Sequence, residues 1–549
     1  VEEVKAMTGL RFTAQAPLVA INPNRSDVAC FVGFVGRRRS PVPVAIAAWL
    51  RDRGWQSGPY ARPGAQTDAA DHISLEDVPV PIDSWAVFNQ LFAPDERLIS
   101  ADSVRVGSTY LGAAVRAFFV QGGRRCYVVR MGDPWPIATG RSDRISFVSQ
   151  LIPGYRADGP GVLDGNPSDR AAWHGIGHLY GLSEVSFLAL PDLCDAIADD
   201  PTEPSGDLPP IRKAPERFVA CSAPQSAPER DRSFRAIPAP RCTETGYQSW
   251  ARALNLIVSW LEQQRHQISL RPVQLVAAVP MPQTEILSNG NLLAFLESAG
   301  ALFALTRSSE DRSQAGLVSR VVQLVYPWVR SPGAVTLPEQ LESPEGVLVG
   351  LLARNALVQG TYRSAATLPL GDVAELVPAL GRSQIYQPSP QNNRSLIERV
   401  SLFGSTPNGL RLLSDVTTSL DERIRPASVH RLIGIVLRAA QRLGEALVFE
   451  ASGPLLWRRL ETGLRGLMES LFEAGALRGR SAKEAFSVRC DRSTMTQSDI
   501  DSGRVIARIA FDPALPVERI TVTLTLNSHG QSQLLPTLIT TVQTPQEVA

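Results

Sequence analysis

Lysine is almost missing from this sequence. Of 55 basic residues only Lys5, Lys213 and Lys483 are lysine, and the rest are arginine. Arginine's planar fork pairs carboxylates bidentately and suits contacts between subunits. A GC-rich genome produces the same bias and is the simpler explanation. An excess of one sign of charge is also absent: 55 basic against 54 acidic residues leave a net charge of +1. Bulk charge therefore gives no support to nucleic-acid binding. Paired cysteines are lacking too. The six, at 30, 126, 194, 221, 242 and 490, form no CxxC, which excludes zinc-ribbon and thioredoxin-like motifs. Isolated cysteines in a long chain read as reduced thiols, several of them buried. No apolar run approaches the roughly 18 residues of a membrane span. The opening VEEVKAMTGL has neither the basic region nor the apolar core of a signal peptide. The expectation is a soluble protein assembled in the cytoplasm, with no direct membrane insertion. What is present is ordinary globular material: 44% hydrophobic and 20% charged residues over 549 positions, room for two to four domains.

Catalytic signatures are equally scarce. There is no GxxxxGK[ST] phosphate loop, no GxGxxG after a strand and no GxSxG elbow. GIGHLYG (175–181) has its glycines at the wrong spacing for a dinucleotide fingerprint. His174 and His178 would share one face of a helix and are the best metal candidate. A zinc-protease motif needs glutamate after the first histidine, however, and Gly175 stands there, weakening the helix as well. Packing or solvated histidines are the expectation. Asp192 follows the strand-like FLALP, where α/β enzymes place catalytic carboxylates; the simpler reading is a cap for the helix LCDAIA. Arg124 and Arg125 read as a solvated or subunit-facing pair rather than an anion site. The chain is expected to be no enzyme and to need neither metal nor cofactor.

Periodicity supplies the outline. VACFVGFVG (28–36) reads as a buried strand, and the polar stretch within 37–78 as a surface insertion. Asp83 or Ser84 caps a short helix carrying Trp85, Phe88 and Leu91. Residues 108–123 form a helix with Leu111, Ala114, Val115 and Phe118 on one face. Gly122 and Gly123 stop it before the strand RRCYVVRM, which makes an α/β unit. A second unit joins a short helix near 170–181 to a strand at 184–193. Nine prolines between Pro201 and Pro240 mark 199–247 as a long solvent-facing loop. A helix at 254–266, a strand at 273–280 and a helix near 291–305 follow. The amphipathic segment 317–329 ends at Pro327, 346–385 alternates short apolar strands with glycine, and 394–404 begins a new unit. Residues 427–449 form a strong helix with Leu432, Ile435, Val436, Ala439, Leu443 and Leu447 as its stripe. A second, 453–477, starts at Pro454 and stops near Gly475 or Gly479. AFSVRC, VIARIAF and ERITVTLTL are strands, the last with one wet face.

Several stretches carry more than periodicity. STYLGAAVRAFFVQGGRRCYVVRM (108–131) resembles the helix–glycine–strand signature of the tail-sheath family of contractile phages and their bacterial relatives. VACFVGFVG with PVPIDSWAVFNQLF, LSEVSFLALPDL (182–193), VYPWV (325–329) and SPEGVLVGLLARNALVQGTYRSAA (343–366) resemble further family segments in order. The run from LFEAGALRG to ITVTLTL (471–526) is similar to sheath C-termini. Tyr-Arg-Ser-Ala-Ala at 362–366 departs from the family's Trp-Lys-Ala-Pro-Ala.

The resemblance implies an α/β (α+β multi-domain) tail-sheath-like fold. It places an N-terminal arm at 1–27, a middle and outer α/β region at 28–385 with insertions at 37–78 and 199–247, a C-terminal tube-proximal domain at 386–526, and a C-terminal arm at 527–549. It implies stacked hexameric rings of this subunit around an inner tube protein, with baseplate and terminal cap proteins as further partners, and contraction that drives the tube through a target envelope. Arm strands carrying Leu10, Phe12, Leu535, Leu538, Ile539 and Val542 would add to a neighbour's sheet at an acceptor edge of Ile520, Val522 and Leu524. Arg458, Arg459 and Arg465 are the candidate tube-facing residues. A non-contractile adaptor or cap of the same machine and a metal-using α/β enzyme are the alternatives.

Overall fold

The computed structural model describes residues 26–67, 72–159, 161, 166, 168–201, 234–263, 273–283, 292–298, 319–390, 393–447, 450, 453–501 and 503–515. At its centre lies an eight-stranded sheet. Its strands, in chain order, are β1 (Val28–Gly33), β2 (Pro79–Ile82), β3 (Cys126–Arg130), β4 (Val185–Ala189), β5 (Gln274–Ala278), β6 (Val322–Tyr326), β7 (Ser401–Thr406) and β8 (Gly409–Leu412). They are arranged β8-β7-β6-β5-β4-β1-β3-β2. The six inner strands are parallel, and an antiparallel strand closes each edge. Both faces are covered, so the inner strands read as continuous apolar runs. Along β1, Val28, Cys30 and Val32 enter one core while Ala29 and Phe31 enter the other.

Helices make the outer layers. On the Phe31 face lie α1 (Val44–Asp52), α2 (Trp85–Leu91), α3 (Tyr110–Val120) and, further along the chain, Glu345–Val358. The opposite face is covered by α4 (Leu193–Ile197) and α5 (Glu244–Gln263), which buries Tyr247, Trp250, Leu254 and Ile257. The α3 helix and its glycine stop are as the spacing predicts: Gly122 takes φ +104°, and Leu111, Ala114, Val115 and Phe118 are buried. Of the two candidate caps for α2, Ser84 is the one used, accepting from Val87 N at 3.3 Å.

The segment 346–385 departs from expectation. Its first part is a helix, α6 (Glu345–Val358), not short strands. The glycines read as strand breaks are contact points. A Cβ on Gly346 would sit 2.2 Å from the Ala114 carbonyl oxygen, and one on Gly350 2.7 Å from that of Phe118. The helix is apolar all round because the sheet covers one side and α3 the other, which erases the periodicity that would reveal it. The amphipathic segment 317–329 contributes β6, and all five β6 residues are buried. Residues 37–78 are more than a surface insertion: Ile46, Leu50, Trp55, Leu75 and Val78 enter the core. Between 199 and 247 the part beyond 233 also packs inward, with Phe234, Cys242 and Tyr247 buried; α5 starts ten residues before the expected 254. Residues 202–233 lie outside the described residues. The turn at 170–181 is 3-10 rather than α-helical.

Beyond the sheet, α7 (Ala427–Leu447) and α8 (Pro454–Glu473) pack on each other and on an antiparallel pair, β9 (Phe486–Arg489) and β10 (Arg508–Phe511). Leu432, Val436, Leu464, Met468 and Leu471 form this smaller core. Gly475, at φ +77°, ends α8, with Ala476 N bonding to Leu471 O at 2.9 Å and Gly475 N to Phe472 O, the paired closure of a Schellman turn. Residues 401–412 belong to the central sheet, so that sheet crosses the division drawn at 385/386. Arg431 of α7 ties the two parts together: its guanidinium lies 2.6 Å from the buried Asp415 carboxylate, which also accepts from Ala365 N and Gln323 Nε2.

Candidate ligand crevice and assembly surfaces

In an open parallel sheet the natural ligand site lies beyond the carboxyl ends of the strands, where the winding direction reverses. Here β3 lies on one side of β1 and β4 on the other, so the crevice opens after Gly33 and after Ala189. Asp192 fills it. Its carboxylate accepts from Phe34 N at 2.7 Å and from Leu111 N, at the start of α3, at 3.3 Å. This is where a phosphate would meet a helix N-terminus; the protein supplies its own carboxyl group instead. A Cβ on Gly33 would lie 2.2 Å from Asp192 Oδ2, so a larger residue there would push Asp192 off its bonds. Burial pushes the Asp192 carboxyl up to about 7, against the opposing pull of the Phe34 hydrogen bond and the Arg97 charge.

The expected helix cap is therefore a correction. Asp192 stands at the cap position of α4, but its side chain makes no cap bond. Its partners are 158 and 81 residues away, and no local pattern signals them. The neighbouring strand ends are closed in the same manner. Glu345 accepts from Ala278 N, at the end of β5, at 2.8 Å and from Ser343 Oγ at 2.7 Å, and burial raises its carboxyl to about 8. Asp195 accepts from Arg97 Nη2 at 2.7 Å and Trp135 Nε1 at 2.9 Å. These carboxyl groups are bound to the protein's own donors.

His174 and His178 meet on one acid. His174 Nδ1 lies 2.6 Å from Asp77 Oδ2 and His178 Nε2 2.9 Å from Asp77 Oδ1. Burial, first among its causes, holds the His178 pKa below its ordinary value, favouring the neutral ring. Among the described residues no group of three or more His, Cys, Asp or Glu side chains is placed to hold a metal ion. Arg125 forms a two-pronged pair with Asp83, at 2.6 and 3.0 Å, and Arg124 is exposed. Cys30, Cys126, Cys194, Cys242 and Cys490 are free and buried. No helix among the described residues is long and apolar enough to cross a membrane.

The surfaces open to partners lie elsewhere. A groove of about 550 Å³ runs between α8 and β9, lined by Glu461, Arg465, Glu469, Lys483, Arg489 and Asp491 among others. Among the described residues β9 is paired only with β10, and on its other edge Arg465 Nη2 donates to Val488 O at 3.4 Å. Arg458, Arg459 and Arg465 are exposed on α8. Arg465 pairs with Glu461 at 2.6 Å and Arg459 with Glu450 at 2.7 Å. Leu10, Phe12, Leu535, Leu538, Ile539 and Val542, and the acceptor residues Ile520, Val522 and Leu524, lie outside the described residues.

No protein-family model matches the sequence, and no curated protein does. Solved structures do match in fold. A chain in the anti-feeding prophage baseplate in its contracted state aligns at TM-score 0.55 and 16% identity, over 96% of this chain and all of that one. The anti-feeding prophage helical sheath in its contracted state aligns at 0.52 and 17%, over 95% and 100%. The sheath complex of PVC, an extracellular contractile injection system, also contracted, aligns at 0.50 and 16%, over 96% and 100%. The chain has the fold of the subunits in these contractile assemblies.

Proposed function

We propose that this chain is the structural subunit of a contractile sheath, polymerising around an inner tube and driving that tube forward when the lattice contracts. The observation that carries this reading is the likeness to contracted-sheath subunits over the whole of their length. It is supported by the crevice at the switch point, where the protein's own Asp192 stands in the place of a ligand. Its role is mechanical, with no cofactor and no catalytic residue. The working state is an extended lattice that repacks once, by rigid-body movement about subunit contacts.

In this reading the termini and the α7–α8 unit face the tube, and the central sheet faces outward. The arms at 1–27 and 527–549 pair with a neighbour's sheet, giving heterologous contacts that propagate as a helix. The edge of β9 beside the α8 groove, once Arg465 releases Val488 O, is suited to such an added strand. Arg458, Arg459 and Arg465 are the proposed tube contacts; Arg459 and Arg465 are paired to neighbouring acids in water, and such exposed pairs are weak enough to release on contraction. Assembly takes place in the cytoplasm, with baseplate and cap proteins bounding the sleeve.

Electron microscopy of the concentrated full-length chain, with and without a co-expressed tube protein, is the test. Hollow striated cylinders are expected. Discrete low-copy particles under every condition would sink the sheath reading and favour an adaptor in the baseplate, a reading kept open by the likeness to a chain in a baseplate structure.

A further inference from the structure

An aromatic cage lies on the surface where α1, the 3-10 turns of 170–181 and β2 meet. The Arg170 guanidinium carbon lies 4.6 Å from the Trp55 ring centre, 4.7 Å from Tyr60 and 5.6 Å from Trp173. Beside it is a recess of about 180 Å³, lined by Trp49, Trp55, Trp173, Pro79 and Leu182 together with Arg53 and Arg170. The rings hold the guanidinium in place by cation–π attraction. Among the described residues the Arg170 side chain makes no hydrogen bond and no ion pair, and neither does that of Arg53, which stacks on Trp49 at 5.5 Å. The nearby acid, Asp77, is already held by Arg62, His174 and His178. Burial and the neighbouring charges of Arg53 and Arg62 both bear against the Arg170 charge. The site is therefore an oriented fork without its carboxylate, next to an apolar recess smaller than the roughly 300–1,000 Å³ of drug-sized ligand sites. It fits one apolar side chain with a carboxylate beside it.

The chain carries such a group. A hairpin over residues 97–107 is anchored by pairing of Arg97 with Gly107 and Leu98 with Val106, and by Ile137 N and Ala138 N bonding to Leu98 O and Ile99 O. At its tip Val104 is 96% exposed. Asp102, also exposed, has no side-chain hydrogen bond or ion pair among the described residues. The hairpin stands near Trp135 and Asp195, at the carboxyl ends of the strands, while the cage adjoins the edge strand β2. Two different patches of one subunit that complement each other make a heterologous contact, the kind that propagates rather than closes.

We propose that the Arg170 cage of one copy receives the 97–107 hairpin of a second copy, with Val104 in the recess and Asp102 paired to the Arg170 fork and to Arg53. This rests on the polymer reading above. The experiment is a charge exchange in the full-length chain, read as the sedimentable fraction at physiological salt and by electron microscopy. Asp102→Arg and Arg170→Asp are each expected to lower the assembled fraction by about tenfold or more, and the two together to recover most of it. Asp102 supports nothing in its own subunit, so Asp102→Arg should keep the melting temperature of the unaltered protein and separates lost contact from lost fold. Val104→Ser is expected to weaken assembly less. Cylinders formed equally by Asp102→Arg and the unaltered chain overturn this contact and leave the sheath reading standing. A block by Arg170→Asp that the exchange does not relieve assigns the cage to another partner and overturns it too. Discrete particles from the unaltered chain overturn both.

Discussion

The carboxyl ends of the central sheet and helix α8 treat their charged groups in opposite ways. Around the carboxyl ends of the sheet strands, acids are buried and bound to backbone N–H groups or to a buried arginine, as with Asp192, Glu345 and Asp195. On α8 the ion pairs Arg459–Glu450 and Arg465–Glu461 stand in water. Buried polar groups that are fully satisfied fix one arrangement; exposed pairs hold little and let go easily. The first suits a body that moves as a rigid unit, and the second a surface that makes and breaks contacts.

The largest effect on this contrast is expected where the two regions join. Arg431→Ala leaves Asp415 buried without its cation and should cost about 3–5 kcal/mol, measured by denaturant unfolding. A loss under about 1 kcal/mol would mean that the joint is not held by this pair. Next comes the close approach of α6 to α3. Gly346→Val drives a side chain into the Ala114 backbone and should cost about 1–3 kcal/mol or more, while Gly466→Ala on α8, where a Cβ meets nothing within 4 Å, should be neutral or slightly stabilising.

The pH dependence should also have two limbs. Asp192 and Glu345 are raised to about 7 and about 8, so between about pH 4 and those values the folded chain holds more protons than the unfolded one. Their contribution to stability is therefore full in acid and is lost as pH rises through that window. Asp415 is buried, which raises its pKa, but Arg431 and three hydrogen bonds outweigh burial and leave it lowered. Its contribution is present above about pH 4, the unfolded value, and fades as pH falls below it. Melting temperatures across pH 3–9 should show the alkaline limb flattened in Asp192→Asn and the acid limb flattened in Asp415→Asn. The smallest effect on stability is expected from Arg465→Ala, within about 0.5 kcal/mol. In the proposed sheath its consequence should appear as altered tube binding in co-sedimentation.

How much of this was legible varies with the distance over which each residue finds its partners. The α3 glycine stop, the Pro454 start of α8, the Gly475 end and the apolar stripe of α7 were readable, because caps, stops and periodicity act within a few residues. Helix α6 was not, since a helix covered on both sides has no polar face and its glycines serve a neighbouring helix. Residues 37–78 and 199–247 read as surface because proline, glycine and charge dominate locally, although Trp55, Leu75, Phe234 and Cys242 reach the core from within them. The place of Asp192 after a strand points locally to a cap on the nearest helix. Nothing nearby points to Phe34 and Leu111.

The sequence by itself determined the alternation of helices and strands, the apolar inner strands and the want of any catalytic motif, all consequences of local composition and period. Only the tertiary structure decided that the switch-point crevice is filled by Asp192, that His174 and His178 share Asp77, and that Arg170 sits caged without an acid. Each of these depends on groups far apart in the chain, and their meeting is set by how strands are ordered in the sheet, which local spacing does not encode.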